Sequence, residues 1–220
     1  MDGGAAEKMA EVILSTAAKL RAMTAALPAT LHALDLRHAY RLLNTGTSVL
    51  IATAHAGRRN LMACAWNMAL DFTPAKLAVC IDKATATRPL LEGSGVFAVG
   101  VPRAGQAEMV FRVGSMSARD VPGQDKFTAF DIAYFPATRI DVPLVADCIG
   151  WLECRLIPEP PVQQAHDLFV GEVLAAWADE RAFADGKFRP LHDTPPDWRT
   201  LHHLGAGNFV VPGQQLQARR

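Results

Sequence analysis

From Ser48 onward, apolar and polar positions alternate in short runs separated by Gly, Pro, Asn and Asp. This is the pattern of half-buried strands joined by tight turns. Strands are expected over residues 48–54, 60–72, 77–82, 96–101, 140–142, 150–156, 168–177 and 208–211. Residues 55–59 form a turn, and Thr73–Pro74 closes the long 60–72 run. Helical spacing is confined to shorter pieces. Residues 87–92 start with the hydroxyl of Thr87 at the N-cap and Pro89 in the first turn, and stop at Gly93 and Gly95. Residues 107–113 also read as a helix, 114–121 as a loop, 125–130 as a turn and 190–198 as a proline-rich loop.

Ahead of the strands, Met9, Ile13, Leu20 and Met23 fall on one stripe of a helix over 6–26, and a short helix follows over 35–43. Residues 1–33 are therefore expected to be a helical extension, and 34–220 the main domain. Strands and helices do not alternate as a parallel βαβ fold requires. The expected class is mainly β, a barrel with appended helices.

Composition narrows the function. The 22 basic and 22 acidic residues cancel, so nothing marks a nucleic-acid or membrane-surface binder. No apolar run is long enough for a membrane helix, and the N-terminus lacks a secretory pattern, so a cytoplasmic location is expected. Cys64, Cys80, Cys148 and Cys154 form no C-x-x-C pair and sit in apolar surroundings, which reads as buried, reduced thiols. Gly205–Ala206–Gly207 lacks the third glycine of a dinucleotide fingerprint and leads into a strand. No spacing of His and Cys suggests a metal. His202 and His203 are adjacent and would point to opposite faces.

Four places carry candidate chemistry. In the stretch from Asn60 to Trp66, small residues alternate with large ones. In an extended chain Asn60 and Trp66 share a face, flanking a floor of Ala63, Cys64 and Ala65. That is either a surface on which a flat ring lies close to backbone or an ordinary barrel strand with a tight neighbour. Lys83, Thr85, Thr87 and Arg88 bracket a helix start, where free N–H groups and the helix dipole favour a phosphate; alternatively Thr87 only caps the helix. Ser117 and Lys126 belong to a second polar cluster, in which Lys126 meets an anion or pairs with Asp120 or Asp125 on the surface. His166 precedes an apolar strand, where it orients a ligand, donates a proton or simply faces water.

These pieces, in this order, resemble the flavin reductase-like family with the FMN-binding split barrel, especially its flavoredoxin-type branch. The resemblance spans about residues 40–212. It is carried by the 60–66 strand, by Asp71–Phe72–Thr73–Pro74, by Ser117–Ala118–Arg119–Asp120 with Asp125–Lys126–Phe127, by Leu152–Glu153–Cys154–Arg155, and by 166–173. It implies an FMN cofactor bordered by Asn60 and Trp66, with backbone contact from Met62 to Ala65. Thr87, with Lys83 and Thr85, takes the phosphate. Lys126 and His166 stand where the family has its flavin-site lysine and histidine, Ser117 lies in the loop before that lysine, and Phe209 is the C-terminal aromatic. The family departures are Ala84 for a Ser, Ala118 for a Gly, Gly100 for an Asn, and the inserted Pro122–Gly123–Gln124. The implied activity is an NAD(P)H-dependent flavin oxidoreductase, with NADH or NADPH passing hydride to the flavin, His166 orienting the reactants, and the protein acting as a homodimer. A flavoredoxin-like electron carrier and a non-catalytic flavin-binding protein are the alternatives.

Overall fold

The computed structural model describes residues 46–218. The chain divides into two units, Met1–Ala39 and Tyr40–Arg220, and the described residues belong to the second. The helices expected over 6–26 and 35–43 lie outside them.

The strands in chain order are β1 (Val49–His55), β2 (Arg58–Cys64), β3 (Asn67–Phe72), β4 (Ala75–Cys80), β5 (Val96–Val101), β6 (Tyr134–Pro136), β7 (Pro143–Val145), β8 (Gly150–Ile157), β9 (Leu168–Ala178), β10 (Phe183–Ala184), β11 (Lys187–Phe188), β12 (His202–Gly205) and β13 (Asn208–Val210). The helices are α1 (Thr87–Ser94), α2 (Ala107–Ser115), α3 (Lys126–Ala129) and α4 (Pro160–His166). Among the described residues, no helix is long and apolar enough to cross a membrane.

Seven strands form one antiparallel sheet in the order β2-β1-β5-β8-β9-β4-β3. Its two edges, β2 and β3, are joined by Ala65 and Trp66 alone. So short a link spans only about 7 Å of extended chain, so the sheet must roll until its edges meet. The result is a barrel whose seam is one kinked run: its first half pairs with β1 and its second half with β4. The expectation of a single strand over 60–72 is corrected accordingly. The run changes partner at Ala65–Trp66, where the Trp66 carbonyl accepts from Cys80 N at 3.0 Å.

Strand alternation then sorts the core into two layers. Val49, Ile51, Cys64, Leu77, Val79, Phe97, Cys154 and Phe169 fill the barrel. Leu50, Ala52, Leu61 and Ala98 point outward, beneath Val110 and Val113 of α2 and Phe127 of α3. Each such large side chain contributes roughly 1.5–3 kcal/mol on burial. Gly171 is glycine because a Cβ there would stand 2.5 Å from the ring of Phe97. Leu91 of α1 joins the barrel layer, so α1 is fastened to the barrel by its apolar side.

Two further expectations change: the strand placed at 140–142 is Pro143–Val145, and the turn at 125–130 contains α3. Residues 160–166, which carry no expected element, fold as α4, whose two leading prolines suit a helix start. All four cysteines are free, and burial pushes Cys64 up to about 11 and Cys148 and Cys154 up to about 12. Cys80 departs from the expectation of a buried thiol: it is half-buried, and its Sγ approaches the His166 carbonyl at 3.6 Å.

Candidate functional site

The small-residue floor exists, but only one of its faces is open. β2 alternates, so Met62 packs toward the barrel layer with Cys64, while Ala63 turns outward with Leu61. Ala63, Ala65 and Ser48 then line a cleft of about 330 Å³. One wall is α2, through Val110, Phe111, Gly114 and Ser115. The other is the β12–β13 hairpin, through His203, Gly207 and Phe209. Gly114 permits this closeness, since a Cβ there would lie 3.2 Å from Ala63 Cβ. His203 and Phe209 pack ring against ring with centroids 5.2 Å apart. The Ser48 hydroxyl is buried and has no hydrogen-bond partner. Ser48 was not singled out from the sequence and His203 was weighed only as a metal ligand; register and hairpin packing bring them to the floor.

The second part of the site is the loop before α1. Asp82 organises it: Oδ1 accepts from Ala84 N at 2.6 Å, and the carbonyl accepts from Thr85 N and Oγ1 at 3.0 and 2.8 Å. Ala86, not Thr87, is the N-cap of α1. The first-turn amide of Arg88 is satisfied by Thr85 Oγ1 at 3.3 Å. Thr87 is the first helical residue, fully buried, and its hydroxyl accepts from Asn60 Nδ2 at 2.9 Å. This overturns the picture of Asn60 and Trp66 flanking a common surface. Asn60 is enclosed behind the floor, and Trp66 is exposed past the end of β2.

Two cations flank the loop. Lys83 donates to the Gln164 carbonyl at 2.6 Å, which ties the loop to α4. Arg119, in the short 3-10 turn Ala118–Asp120, donates to the carbonyls of Ala84 and Thr85 at 2.8 and 3.4 Å. Ser117 caps that turn by accepting from Arg119 N at 3.2 Å. The segment 115–119 therefore runs from the cleft wall at Ser115 to the loop. Arg119 is the functional candidate that the sequence reading passed over as part of a motif. Buried Arg88 is bonded to Asp167, Glu92 and the Gln163 carbonyl, so it anchors α1 and is not available to a ligand.

Lys126 is not a surface lysine. Only 3 % of it is exposed, and its Nζ donates to the Val113 carbonyl at 2.6 Å, behind the cleft wall formed by Gly114 and Ser115. Burial pulls its pKa down to about 8. Asp125, one expected partner, is instead paired with Arg59 at 2.9 Å. His166 stands just ahead of β9, as expected, with only Asp167 between; it is also the exposed last residue of α4, beside the Lys83 contact. Thus the structure gathers Ala63, Ala65 and Phe209 in the cleft, and Lys83, Thr85, Ser117 and Arg119 at the loop, with Asn60 and Thr87 behind.

Comparison with known proteins gives these features a family. Residues 40–192 match the flavin reductase like domain. The chain is 40% identical to the Escherichia coli (strain K12) protein YddH over 188 residues, 84% of this chain and 96% of that one. It superposes on an FMN-binding domain of a flavin reductases-like enzyme from Shewanella baltica OS155 with a TM-score of 0.75 and 41% identity, covering 86% of this chain and 97% of the other. Flavoredoxin of Desulfovibrio vulgaris (Miyazaki F) shares the fold, with a TM-score of 0.67 at 20% identity over 88% of this chain and 97% of that one. The barrel with its kinked seam is the split barrel of these proteins, and the chain belongs to the flavin reductase-like family.

Proposed function

We propose that this protein is an FMN-dependent oxidoreductase that accepts hydride from NADH or NADPH. The observation that carries the reading is the continuity of the site: an open floor of small side chains at Ala63 and Ala65 is linked by 115–119 to a cation-flanked helix start at 82–87. A planar ring suits the floor because no side chain longer than a methyl group rises from Ala63 or Ala65. A phosphate suits the loop, where a helix N-terminus, Lys83 and Arg119 all favour negative charge. Bound FMN would supply the two-electron chemistry, as cofactors do in such enzymes.

The residues supply position and shielding. Ala63 and Ala65 form the floor, with Met62 and Cys64 contributing backbone. Phe209 and Phe111 wall the ring, and Trp66 covers its open side. Lys83, Thr85, Ser117 and Arg119 hold the phosphate end, with Thr87 buried behind them as the first residue of α1. Lys126 places a buried cation behind the Val113 carbonyl and favours negative charge in the cleft. His166 stands exposed at the phosphate side, where it orients the nicotinamide donor. Hydride transfer depends on close approach and alignment more than on an acid–base pair, which accounts for a site without a triad. FMN binding is supported by the Shewanella baltica relative at 41% identity.

An anaerobic titration tests the reading. The purified protein should bind FMN at micromolar levels and bleach it on addition of NADH or NADPH. Retained FMN with negligible pyridine-nucleotide oxidation would favour an electron carrier instead, and absence of flavin binding would end the flavin reading. Trp66→Ala should weaken FMN binding more than it weakens the fold.

The same proposal includes a homodimer. Trp66, Met68, Leu70 and Phe72 make an apolar stripe along the edge run, on both sides of the register shift between Ala69 and Asp71, and are 54%, 59%, 45% and 96% exposed. Such a stripe along a sheet edge calls for a partner surface, and a second copy of the chain supplies it next to the floor. Sedimentation at micromolar concentration should show a dimer.

A further inference from the structure

Asn60 makes one side-chain hydrogen bond to protein, and it reaches across the fold. Its Nδ2 donates to Thr87 Oγ1 at 2.9 Å. Both residues are almost wholly enclosed, at 2% and 0% exposure. Thr53, the Cα partner of Asn60 on β1, is equally buried. Neither Thr53 Oγ1 nor Asn60 Oδ1 finds a partner among the described residues, so the Asn60 amide spends its one protein hydrogen bond on Thr87.

The place of this bond matters. Asn60 lies on β2, the strand that carries Ala63 of the floor, and Thr87 is the first residue of α1. The loop's other fastenings come from elsewhere: Arg119 holds Ala84 and Thr85, Lys83 holds α4, and Arg88 holds Asp167. The Asn60–Thr87 bond therefore joins the floor strand directly to the turn that would face a phosphate. A helix start binds an anion through several N–H groups aimed at one point, and charge-assisted hydrogen bonds of this kind depend steeply on distance and angle.

We propose that Asn60 is a positioning residue for the phosphate end of the site. It touches no ligand and acts through Thr87, setting the spacing between the ring floor and the phosphate loop. The inference rests on the FMN reading and adds a specific division of labour to it. Loss of the Asn60 amide leaves the Thr87 hydroxyl buried without that partner. The first turn of α1 then relaxes, while the floor at Ala63 and Ala65 stays in place.

FMN and riboflavin share the ring and differ in the phosphate, so their affinity ratio isolates the effect. Dissociation constants for both are measured on the full chain by flavin fluorescence, for the wild type, Asn60→Ala, Thr87→Val, Thr87→Ser and the Asn60→Ala/Thr87→Val pair. Each of Asn60→Ala and Thr87→Val should weaken FMN about tenfold, the scale of one charge-coupled hydrogen bond, while riboflavin changes by less than about twofold. The double variant should be no weaker than the singles, since both remove the same bond. Thr87→Ser, which keeps the hydroxyl, should stay near wild type. Equal losses for FMN and riboflavin, or additive losses in the double variant, would overturn the proposal and leave Asn60 as a purely structural residue. If Asn60→Ala does not fold, the near-isosteric Thr87→Val decides alone by the same ratio. A wild type that binds riboflavin and FMN equally refutes the phosphate role while sparing the ring floor, and one that binds neither refutes the FMN reading and this inference with it.

Discussion

β2 and β3 carry the same alternating code and are separated only by Ala65 and Trp66, yet they end in different surroundings. β2 is covered on both sides: Cys64 and Met62 face the barrel layer, and Leu61 lies beneath α2 and α3. β3 is covered by little, and Met68, Leu70 and Phe72 stand in solvent. The residue types do not explain this, because Leu61 and Leu70 are the same residue. The difference is what lies above each half. The partner exchange at Ala65–Trp66 carries the run out from under α2 to the opposite edge of the sheet. A site can therefore form at the kink, where the covering layer ends and small side chains meet solvent.

Four measurements probe that contrast, beginning with the largest effect. Leu61→Ala should destabilise the protein by about 2–5 kcal/mol in chemical denaturation, the usual cost of a cavity in a full core. Leu70→Ala, on the half that is exposed in the monomer, should cost the monomer less than about 0.5 kcal/mol for the same atoms removed. Comparable costs at the two positions would show that β3 is covered in solution by more than a weak association.

The layer above β2 also holds Lys126, whose pKa is lowered by burial from 10.5 to about 8. The sign follows from linkage. Between about 8 and 10.5 the unfolded chain binds a proton that the folded chain does not, so stability rises with pH across that window. Below it, the folded state carries the full penalty of a buried charge. The rise should be on the order of 3 kcal/mol. Lys126→Met should flatten it in pH-dependent denaturation curves, and an unchanged slope would move the titration elsewhere.

Phe72→Asp should leave monomer stability within about 0.5 kcal/mol of wild type, as exposed substitutions do. It should shift sedimentation from dimer toward monomer. A dimer that survives would move the interface away from the stripe. The remaining test is Ser48→Ala. A buried hydroxyl without a partner carries a desolvation cost, so its removal should leave the flavin-free protein unchanged or raise its stability by up to about 1 kcal/mol. A loss above that would mean that the hydroxyl has a structural partner in solution.

Much of the site could be read along the chain because its pieces are local. The floor alternation at Ala63 and Ala65 needs only strand periodicity, and the helix start near Thr87 needs only Pro89 and the hydroxyls around it. Where the reading went astray, the missing information was nonlocal. Thr87 looked like a cap until Asn60, far from it in sequence, took its hydroxyl. Lys126 looked like a surface lysine because nothing near it in the chain announces the α2 carbonyl that receives it. The α4 turn was hidden because its pattern is short and begins with two prolines. Arg119 appeared as part of a motif, and its contact with the 84–85 backbone is a tertiary fact.

The sequence by itself determined that the chain makes strands with a small-residue floor and a helix start suited to an anion, because side-chain size, alternation and capping are local physics. Only the tertiary structure decided that the long run must kink and change partner, since the sheet has to close and two residues are all that join its edges. That closure sends Asn60 inward to hold Thr87, leaves Ala63 and Ala65 open beneath α2, and puts Phe72 in solvent.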